Sequence, residues 1–427
     1  MNEANRDGQL VTRRELITAI GGSLLSMGGC LDRIGPEGTA TAREPTESES
    51  PTSSGFSRTG LGPDTFERLV DLKVNDGEHR ASERRCVTMT QCVELHTGAD
   101  GAWFHIPLDE PMDFRNARLA CHMAADGTAA GTLPYLDFRD VHGNRFRMRT
   151  VIRSHGRPVR VDFGVTNPQV DGMPVDLGNI DRITFRLAPT GESGTETVYI
   201  DWPTRVAAPD TPKVVFMFDD GNVTDYTKGL PYLSQYDYPA ITYVNTETVG
   251  NEGQLDEDQL YQLSEENWLI GSHTTDHTNL KELDERTALE RKVGDAKQWL
   301  IDRGFEEGAR HFAYPYNRID EQTLKVVSEF HDTGRVHSWQ PIALPSNPQL
   351  IPGAGEPGVS EARRLLDWAV QFGGVISFYY HDLASEESLA SFQEVVDEVR
   401  KRERAGKVDV IRLDDLEAMA REAVPEY

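Results

Sequence analysis

The sequence predicts an α/β fold, a distorted (β/α) barrel with about seven strands, preceded by an all-β sandwich of the jelly-roll kind. Three observations support this prediction. The chain has 427 residues, more than one hydrophobic core usually organises. Short segments of alternating polar and apolar residues, separated by turn residues, fill residues 63–206. Strand and helix signals alternate through residues 207–427, which implies parallel strands joined by crossover helices.

Two segments precede the predicted domains. Residues 1–30 resemble a twin-arginine export signal with a lipobox, because Arg13 and Arg14 come before an apolar run and Cys30 follows it. That run is too short for a stable membrane-spanning helix. Residues 31–62 are rich in Gly, Pro, Ser, Thr and Glu, and we interpret them as a disordered tether. We therefore expect an exported protein, held at the outer face of the cytoplasmic membrane by a lipid anchor on Cys30.

The charge balance limits the expected partners. Asp and Glu total 70 against 44 Lys and Arg, for a formal net charge of -26. A surface of this sign repels nucleic acid and anionic membranes, so neither is an expected partner. Dense carboxylate hydration suits a protein that stays soluble in concentrated salt, where self-repulsion is screened. We interpret the source as halophilic, with an acidic protein from ordinary conditions as the alternative.

The clearest strand signal in the first domain covers residues 145–151, where Phe146 and Met148 share one face. A turn at residues 142–144 joins it to a partner strand over residues 133–138. Further strands are predicted over residues 183–187 and 197–202.

Two sets of residues in this domain each allow two interpretations. Four aromatic residues form either a sugar-stacking platform or, more commonly for β-domains, part of the core: Trp103, Tyr135, Tyr199 and Trp202. Three cysteines cannot complete a disulfide framework, so they are either one pair with a free thiol or three buried thiols: Cys86, Cys92 and Cys121.

The barrel elements follow one another after Pro212. Predicted strands cover residues 213–218, 240–244, 268–271, 311–314, 375–380 and 408–411. Predicted helices cover residues 256–266, 284–303, 320–330, 360–372 and 386–404, and a last helix ends the chain.

The first barrel strand ends in two adjacent carboxylates, Asp219 and Asp220, followed by Gly221. Functional groups in such barrels sit at the C-terminal ends of the strands. Neighbouring side chains on an extended backbone point opposite ways, so one carboxylate can bind a metal while the other accepts a proton. The alternative for this stretch alone is an Asx-type turn with Gly221 in the left-handed conformation.

A second strand tip supplies two imidazoles. His273 and His277 follow the strand that ends at Gly271, and a spacing of four residues in a helical turn points both side chains the same way. Together with Asp220 they make a three-ligand set with open positions, which is typical of a catalytic metal site. The sequence therefore predicts a divalent metal ion, with Zn2+ favoured. The two-histidine, one-carboxylate set of non-haem iron oxygenases is the alternative.

Two further strand tips carry candidate groups. Pro315 fixes the backbone so that the Tyr316 amide can donate to an oxyanion, unless the segment is an ordinary loop. His381 ends the strand over residues 375–380, and opposite a metal site it is a candidate general acid rather than a structural histidine. The sequence has no Gly-rich phosphate loop, so we expect no nucleotide or organic cofactor.

These segments resemble the motifs of the polysaccharide deacetylase family, and the resemblance covers about residues 213–411. The matching segments are residues 218–221, 272–277, 314–316 and 379–381. The resemblance implies a metal-dependent hydrolase that removes N-acetyl groups from a polysaccharide or cell-surface glycan. It implies that Asp219 is the general base, that His381 is the general acid and that Tyr316 lends its amide. The metal ligands that it implies are Asp220, His273 and His277.

Two other functions stay open. One is a hydrolase of a small non-sugar amide at the same site, and the other is a glycan-binding surface protein without catalysis. A surface tether and an N-terminal β-domain favour a polymer as substrate. The filled catalytic positions argue against an inactive protein.

The main departure from the family pattern is Ala313. The third family motif usually has an arginine there, paired with the base carboxylate, and its loss resembles the deacetylases that act on poly-N-acetylglucosamine. Arg318 and Arg335 are the nearby arginines that can replace it. Because both are predicted to follow strand tips, where long side chains usually stay solvated, we expect the metal ion rather than either arginine to keep Asp219 ionised.

The stability of this protein should rise with salt. At a net charge of -26, low ionic strength strengthens repulsion between carboxylates. We expect the melting temperature to increase as sodium or potassium chloride rises into the molar range, which a series of thermal unfolding curves checks. A flat or falling melting temperature would contradict the halophilic interpretation.

Overall fold

The computed structural model describes residues 74–75, 78–87, 92–96, 101–106, 108, 110–126, 133–152, 156–187, 197–201, 203–338 and 340–423. These ranges belong to one compact unit, Arg58–Tyr427. The predicted export signal with Cys30, the predicted tether and Trp202 lie outside the described residues. Within the described ranges, none of the helices has the length and apolar character needed to cross a membrane.

Two antiparallel sheets form the described part of the first domain. The first sheet has the order β1 (Val74–Asn75), β4 (Ala102–Ile106), β10 (Ile180–Leu187), β6 (Pro134–Asp140), β7 (Arg145–Arg149) and β9 (Gly164–Asn167). The second has the order β12 (Thr204–Ala207), β5 (Ala117–Asp126), β11 (Thr197–Ile200), β3 (Cys92–His96) and β2 (Glu78–Ser82), with β8 (Val159–Asp162) beside β5. Inward-facing residues of both sheets share one hydrophobic cluster, as the all-β prediction requires. The jelly-roll topology stays a prediction.

Strand β7 shows why these residues form a sheet. Phe146 and Met148 are fully buried, while the three arginines that alternate with them, at positions 145, 147 and 149, are half-buried. Side chains therefore alternate between core and solvent. Phe146 also stacks on Phe372 of the barrel, with ring centroids 5.0 Å apart. The core of the sandwich therefore continues into the barrel.

The structure bears on the two interpretations of the aromatic residues and on the two interpretations of the cysteines. Tyr199 is buried in the second sheet, where its hydroxyl donates to Asp126 at 2.9 Å. It therefore cannot share a platform with Trp103 and Tyr135, which lie on the first sheet. The cysteines are free thiols, two of them buried and one half-buried: Cys92, Cys121 and Cys86.

Seven parallel strands in the described part of the chain close the predicted barrel. In order they are β13 (Lys213–Asp220), β14 (Ala240–Val244), β15 (Trp268–Ser272), β16 (His311–Ala313), β17 (Thr333–His337), β18 (Ile351–Gly355) and β19 (Val375–Tyr380). Strand β13 pairs with both β14 and β19, so the sheet closes on itself. The two-residue strand β20 (Asp409–Val410) pairs with the start of β13. The (β/α) barrel prediction is confirmed.

Two barrel strands, β17 and β18, were not predicted from the sequence. In β17, Arg335 lies between Gly334 and Val336, the one aliphatic residue of the strand, and β18 reads Ile-Pro-Gly-Ala-Gly, so neither has the apolar run of a buried strand. Both are short. Closure of the barrel, rather than strand propensity, holds them in place.

Helices pack around the barrel, and the last of them packs against its interior at one end. The described helices are α1 (Leu230–Leu233), α2 (Glu257–Glu265), α3 (Arg286–Ile301), α4 (Glu321–Phe330), α5 (Val359–Phe372), α6 (Glu386–Arg404) and α7 (Leu413–Ala423). Asp256 and Asp320 cap α2 and α4 through capping boxes. The helix predicted over residues 284–303 is α3, which begins after Glu285, so Asp284 does not cap it, and it has no side-chain cap. Leu413 and Leu416 of α7 pack into the same cluster as the barrel-interior residue Val215.

Candidate active site

The site begins where β13 ends. The apolar, partly β-branched run of this strand lies in the barrel wall, and both Asp219 and Asp220 are 2% exposed. Asp220 has a φ of 73° and Gly221 a φ of 63°, so the chain turns sharply through the left-handed region. A Cβ on Gly221 would lie 3.0 Å from Val244 Cγ1. The segment therefore forms a turn with Gly221 in the left-handed conformation and also presents the two carboxylates at a strand tip, because the strained turn orients them.

Three side chains meet beside this turn. The Nε2 atoms of His273 and His277 lie 3.6 Å and 3.3 Å from Asp220 Oδ1. The candidate ligand atoms of all three residues lie within 4.8 Å of one another. Two imidazole nitrogens and a carboxylate oxygen around one point suit a divalent cation such as Zn2+.

The tautomer of His273 also fits a metal ligand. Its Nδ1 lies 2.7 Å from the Ala313 carbonyl oxygen, and because that oxygen only accepts hydrogen bonds, Nδ1 carries the proton. The lone pair on Nε2 then faces Asp220. Burial lowers the pKa of His273 and so favours the neutral imidazole that binds metals.

The local reason predicted for the histidine pair is wrong. Residues 274–276 form a tight turn rather than a helical one, with φ values of 70° at Thr274 and 62° at His277. The His277 N–H donates to Thr274 Oγ1 at 3.0 Å and holds the turn. The two imidazoles still meet, with ring centroids 4.8 Å apart.

An arginine pairs with Asp219, contrary to the expectation that both nearby arginines stay solvated. Arg335 is 3% exposed, and its Nη2 donates to Asp219 Oδ2. The guanidinium also lies 4.1 Å from the centre of the Tyr379 ring. Arg318, by contrast, is exposed. The expectation failed because Arg335 lies within β17 and points into the barrel, not beyond a strand tip.

The departure at Ala313 explains how Arg335 fits. Ala313 and Arg335 are direct partners in the pairing of β16 with β17, so the arginine enters from the strand next to the one expected. A Cβ on Gly353 would lie 3.0 Å from Arg335 Cδ and 3.0 Å from Tyr379 Cδ1. A small residue on each side therefore makes room for the guanidinium inside the barrel.

His381 lies across the site from the histidine pair. Its Nε2 is 3.8 Å from Asp219 Oδ2, and its Nδ1 is 3.1 Å from Glu356 Oε1. Burial lowers the pKa of His381, but the hydrogen bond that its ring donates to Glu356 and the charge of Asp219 outweigh burial, and the net shift of the pKa is upward. The side chain of Asn222 donates to the His381 carbonyl oxygen at 2.6 Å and ties this loop to the β13 turn.

Glu356 was not identified from the sequence. It directly follows β18, which was not predicted as a strand, and its φ of 47° is unusual for a side chain of this size. A titratable residue just past a strand tip is the signal that could have found it, had β18 been recognised.

Tyr316 lies at the edge of the site. Its φ of 56° places it in the left-handed region, and its ring is 43% exposed. The ring centroid lies 4.4 Å from that of His277. The structure therefore brings all six predicted site residues to one end of the barrel.

Comparison with known sequences supports a family for the barrel. Residues 207–332 match the sequence model of the family described as "Polysaccharide deacetylase". The chain is 29% identical over 121 residues to "Putative polysaccharide deacetylase YxkH" of Bacillus subtilis (strain 168), covering 28% of this chain and 43% of that protein. The chain thus spans less than half the length of this curated relative. Both matches support the polysaccharide deacetylase family.

Solved structures with a related fold include two carbohydrate esterase family members. A family 4 carbohydrate esterase from Streptomyces lividans in complex with acetate is 13% identical, with a TM-score of 0.35 over 46% of this chain and 91% of that chain. A CE4 family pseudoenzyme from Bacillus anthracis is 12% identical, with a TM-score of 0.37 over 49% of this chain and 66% of that chain.

The buried pair of Arg335 and Asp219 should dominate the stability of the site. Arg335→Met leaves an uncompensated buried carboxylate and should cost about 3–5 kcal/mol of unfolding free energy. Adding Asp219→Asn should restore most of that loss, because the charge that lacks a partner is removed.

Chemical denaturation of the two single variants and the double variant measures this coupling. The matched control is Arg318→Met, which removes an exposed guanidinium from the neighbouring loop and should change stability little. Additive effects of the two substitutions at positions 335 and 219 would show that the residues do not interact.

Proposed function

We propose that this chain is a metal-dependent hydrolase that removes N-acetyl groups from an N-acetylated polysaccharide or cell-surface glycan. The observation that carries the proposal is a second carboxylate, Asp219, beside a metal-ligand set, with a protonatable histidine within 3.8 Å of it. A binding protein needs no such pair. The match of residues 207–332 to the polysaccharide deacetylase family supports the substrate class.

Asp220, His273 and His277 would hold the ion, for which Zn2+ is the proposed identity. When bound, the ion polarises the acetamide carbonyl and lowers the pKa of a coordinated water. His273 is held as the neutral ligand by its hydrogen bond to Ala313.

Asp219 is the proposed general base. Arg335 holds one carboxylate oxygen, Oδ2, and leaves Oδ1, which has no hydrogen-bond partner among the described residues, to accept a proton from the attacking water. The guanidinium of Arg335 compensates the buried carboxylate of Asp219 and holds it in one orientation before the substrate arrives.

His381 is the proposed general acid that protonates the departing amine. Glu356 accepts from Nδ1, which fixes the ring and leaves Nε2 facing Asp219 and the centre of the site. The backbone amide of Tyr316 is proposed to donate to the tetrahedral oxyanion. Its ring packs against His277, so the loop is positioned by a metal ligand.

The proposed location is the cell surface, with export through the signal in residues 1–30 and a lipid anchor at Cys30. This part of the proposal rests on the sequence alone. A polymer fits it better than a small amide, because a tethered enzyme meets surface glycans directly.

Metal binding and activity should be lost together. His273→Ala removes one ligand and should lower bound metal and abolish acetate release from N-acetylated glycans, while the far-UV circular dichroism persists. The measurements are metal content by mass spectrometry and acetate release from a glycan panel, with and without chelator.

The matched control is His142→Ala, which changes an exposed histidine in the turn after β6. Full activity of the chelator-treated protein would rule out the mechanism. Metal binding without acetate release from any glycan would favour the inactive glycan-binding alternative.

The basic limb of the pH–rate profile should depend on Glu356. Glu356→Gln removes a negative charge that raises the pKa of His381, so that pKa should fall and the protonated acid should be lost at lower pH. The basic limb of kcat/KM should therefore move to lower pH.

Glu386→Gln serves as the control, because this exposed glutamate begins α6 and is one of the acidic residues of its first turn. An unmoved or raised basic limb in Glu356→Gln would separate Glu356 from the proposed acid.

A further inference from the structure

The outer face of the first sheet carries an unusual set of side chains. On β4, β10, β6 and β7, most of the residues that alternate with the buried core residues are aromatic or charged, with Thr184 as an exception. We call this set the arginine face: Trp103, Tyr135, Asp137, Arg139, Arg145, Arg147, Arg149, Arg182 and Arg186.

The strand register places these residues in rows across the sheet. Arg186 of β10 lies directly between Trp103 of β4 and Tyr135 of β6, and Tyr135 is the partner of Arg149 on β7. One row thus alternates aromatic ring and guanidinium. At a strand spacing of about 4.8 Å, the two rings are about 10 Å apart, roughly the length of two sugar units.

Cation–π contacts hold the guanidinium groups against the rings. The Arg186 guanidinium lies 5.4 Å from the centre of the Trp103 ring, and that of Arg147 lies 4.3 Å from the centre of the Tyr135 ring. Such contacts keep long side chains flat on the sheet and lower the entropy lost when a ligand binds.

The arginine face is positive on a strongly negative protein. Four of its six arginines contact aspartates, and these aspartates are Asp137, Asp171 and Asp181. Six guanidinium groups against three carboxylates leave an excess of three positive charges. Arg147 and Arg186 keep 31% and 29% of their side-chain surface exposed, although both pair with Asp137. Although the whole chain has a net charge of -26, arginine side chains are concentrated on the arginine face, which favours an anionic ligand on that surface.

Arg149 extends this row toward the barrel. Its guanidinium is half-buried, and no counter-ion or hydrogen-bond partner for it is found among the described residues. It lines a cavity with Ser338 and Gln340, which follow the strand that carries Arg335. The row therefore leads from the sheet to the segment after β17, next to the proposed active site.

We propose that the arginine face binds an acidic polysaccharide, with sugar carboxylates on the arginines and sugar rings beside Trp103 and Tyr135. Arginine pairs with carboxylates through two parallel hydrogen bonds, and aromatic rings accept the apolar faces of sugars. A flat, four-strand surface with mixed rings and cations suits a polymer of moderate charge density better than nucleic acid, which the overall charge repels. This proposal goes beyond the deacetylase function, and its test measures binding alone.

Binding of the full chain to polygalacturonate at low ionic strength tests the proposal. Fully methyl-esterified polygalacturonate has the same backbone without the charge and should bind at least about tenfold more weakly. Arg186→Gln and Arg149→Gln should each weaken binding to the charged polymer by about tenfold, and Trp103→Ala by a similar factor.

The matched control is Arg115→Gln, which removes the same charge from an exposed, ion-paired arginine outside the arginine face and should bind as the unaltered protein does. Circular dichroism and the melting temperature of each variant establish that it folds, and the three single variants test the face independently.

Three results would overturn the proposal. These are equal binding of the charged and esterified polymers, an equal loss of binding in Arg115→Gln, and binding of single-stranded DNA that is as tight and as sensitive to the same variants. The last result would identify a general polyanion surface instead.

Discussion

The buried ion pair between Asp219 and Arg335 is the constraint on which the rest of the site depends. A carboxylate that is 2% exposed needs a compensating charge. Arg335 supplies it from β17, the strand that pairs with β16. The pair holds Oδ2 of Asp219 and leaves Oδ1 without a hydrogen-bond partner among the described residues. It also ties β17 to the end of the barrel that holds the candidate site, although Val336 is the one aliphatic residue of this strand.

Room for that pair comes from residues with little or no side chain. Ala313 and Gly353 lie on either side of Arg335, and Gly271 lies against Tyr243, where an added Cβ would be 2.7 Å from the ring. Close packing in the barrel interior means that each small residue is matched to a large neighbour. Arg335 of β17 therefore pairs with Asp219 in place of the arginine that the family resemblance led us to expect at position 313 of β16.

Much of the fold and site was predictable because it depends on local patterns. Apolar runs that end in Asp219, His273 or His381 identify strand tips, and the order of those tips fixes one end of a barrel. Arg335 and Glu356 were not predictable in this way, because both belong to strands that barrel closure creates and local propensity does not. The left-handed turn that joins His273 to His277 was also missed, since a spacing of four residues fits a helix equally well.

Helix α7 packs against one end of the barrel interior. Leu413, Leu416 and Ala420 pack against the interior residues at the end opposite the paired carboxylates. Because α7 covers the other end, the acetate in the proposed reaction would leave on the same side of the barrel as the bound polymer. The polymer would have to dissociate, or the acetate would have to diffuse past it, before the next sugar unit binds. Deacetylation of a long chain would then proceed through separate binding events.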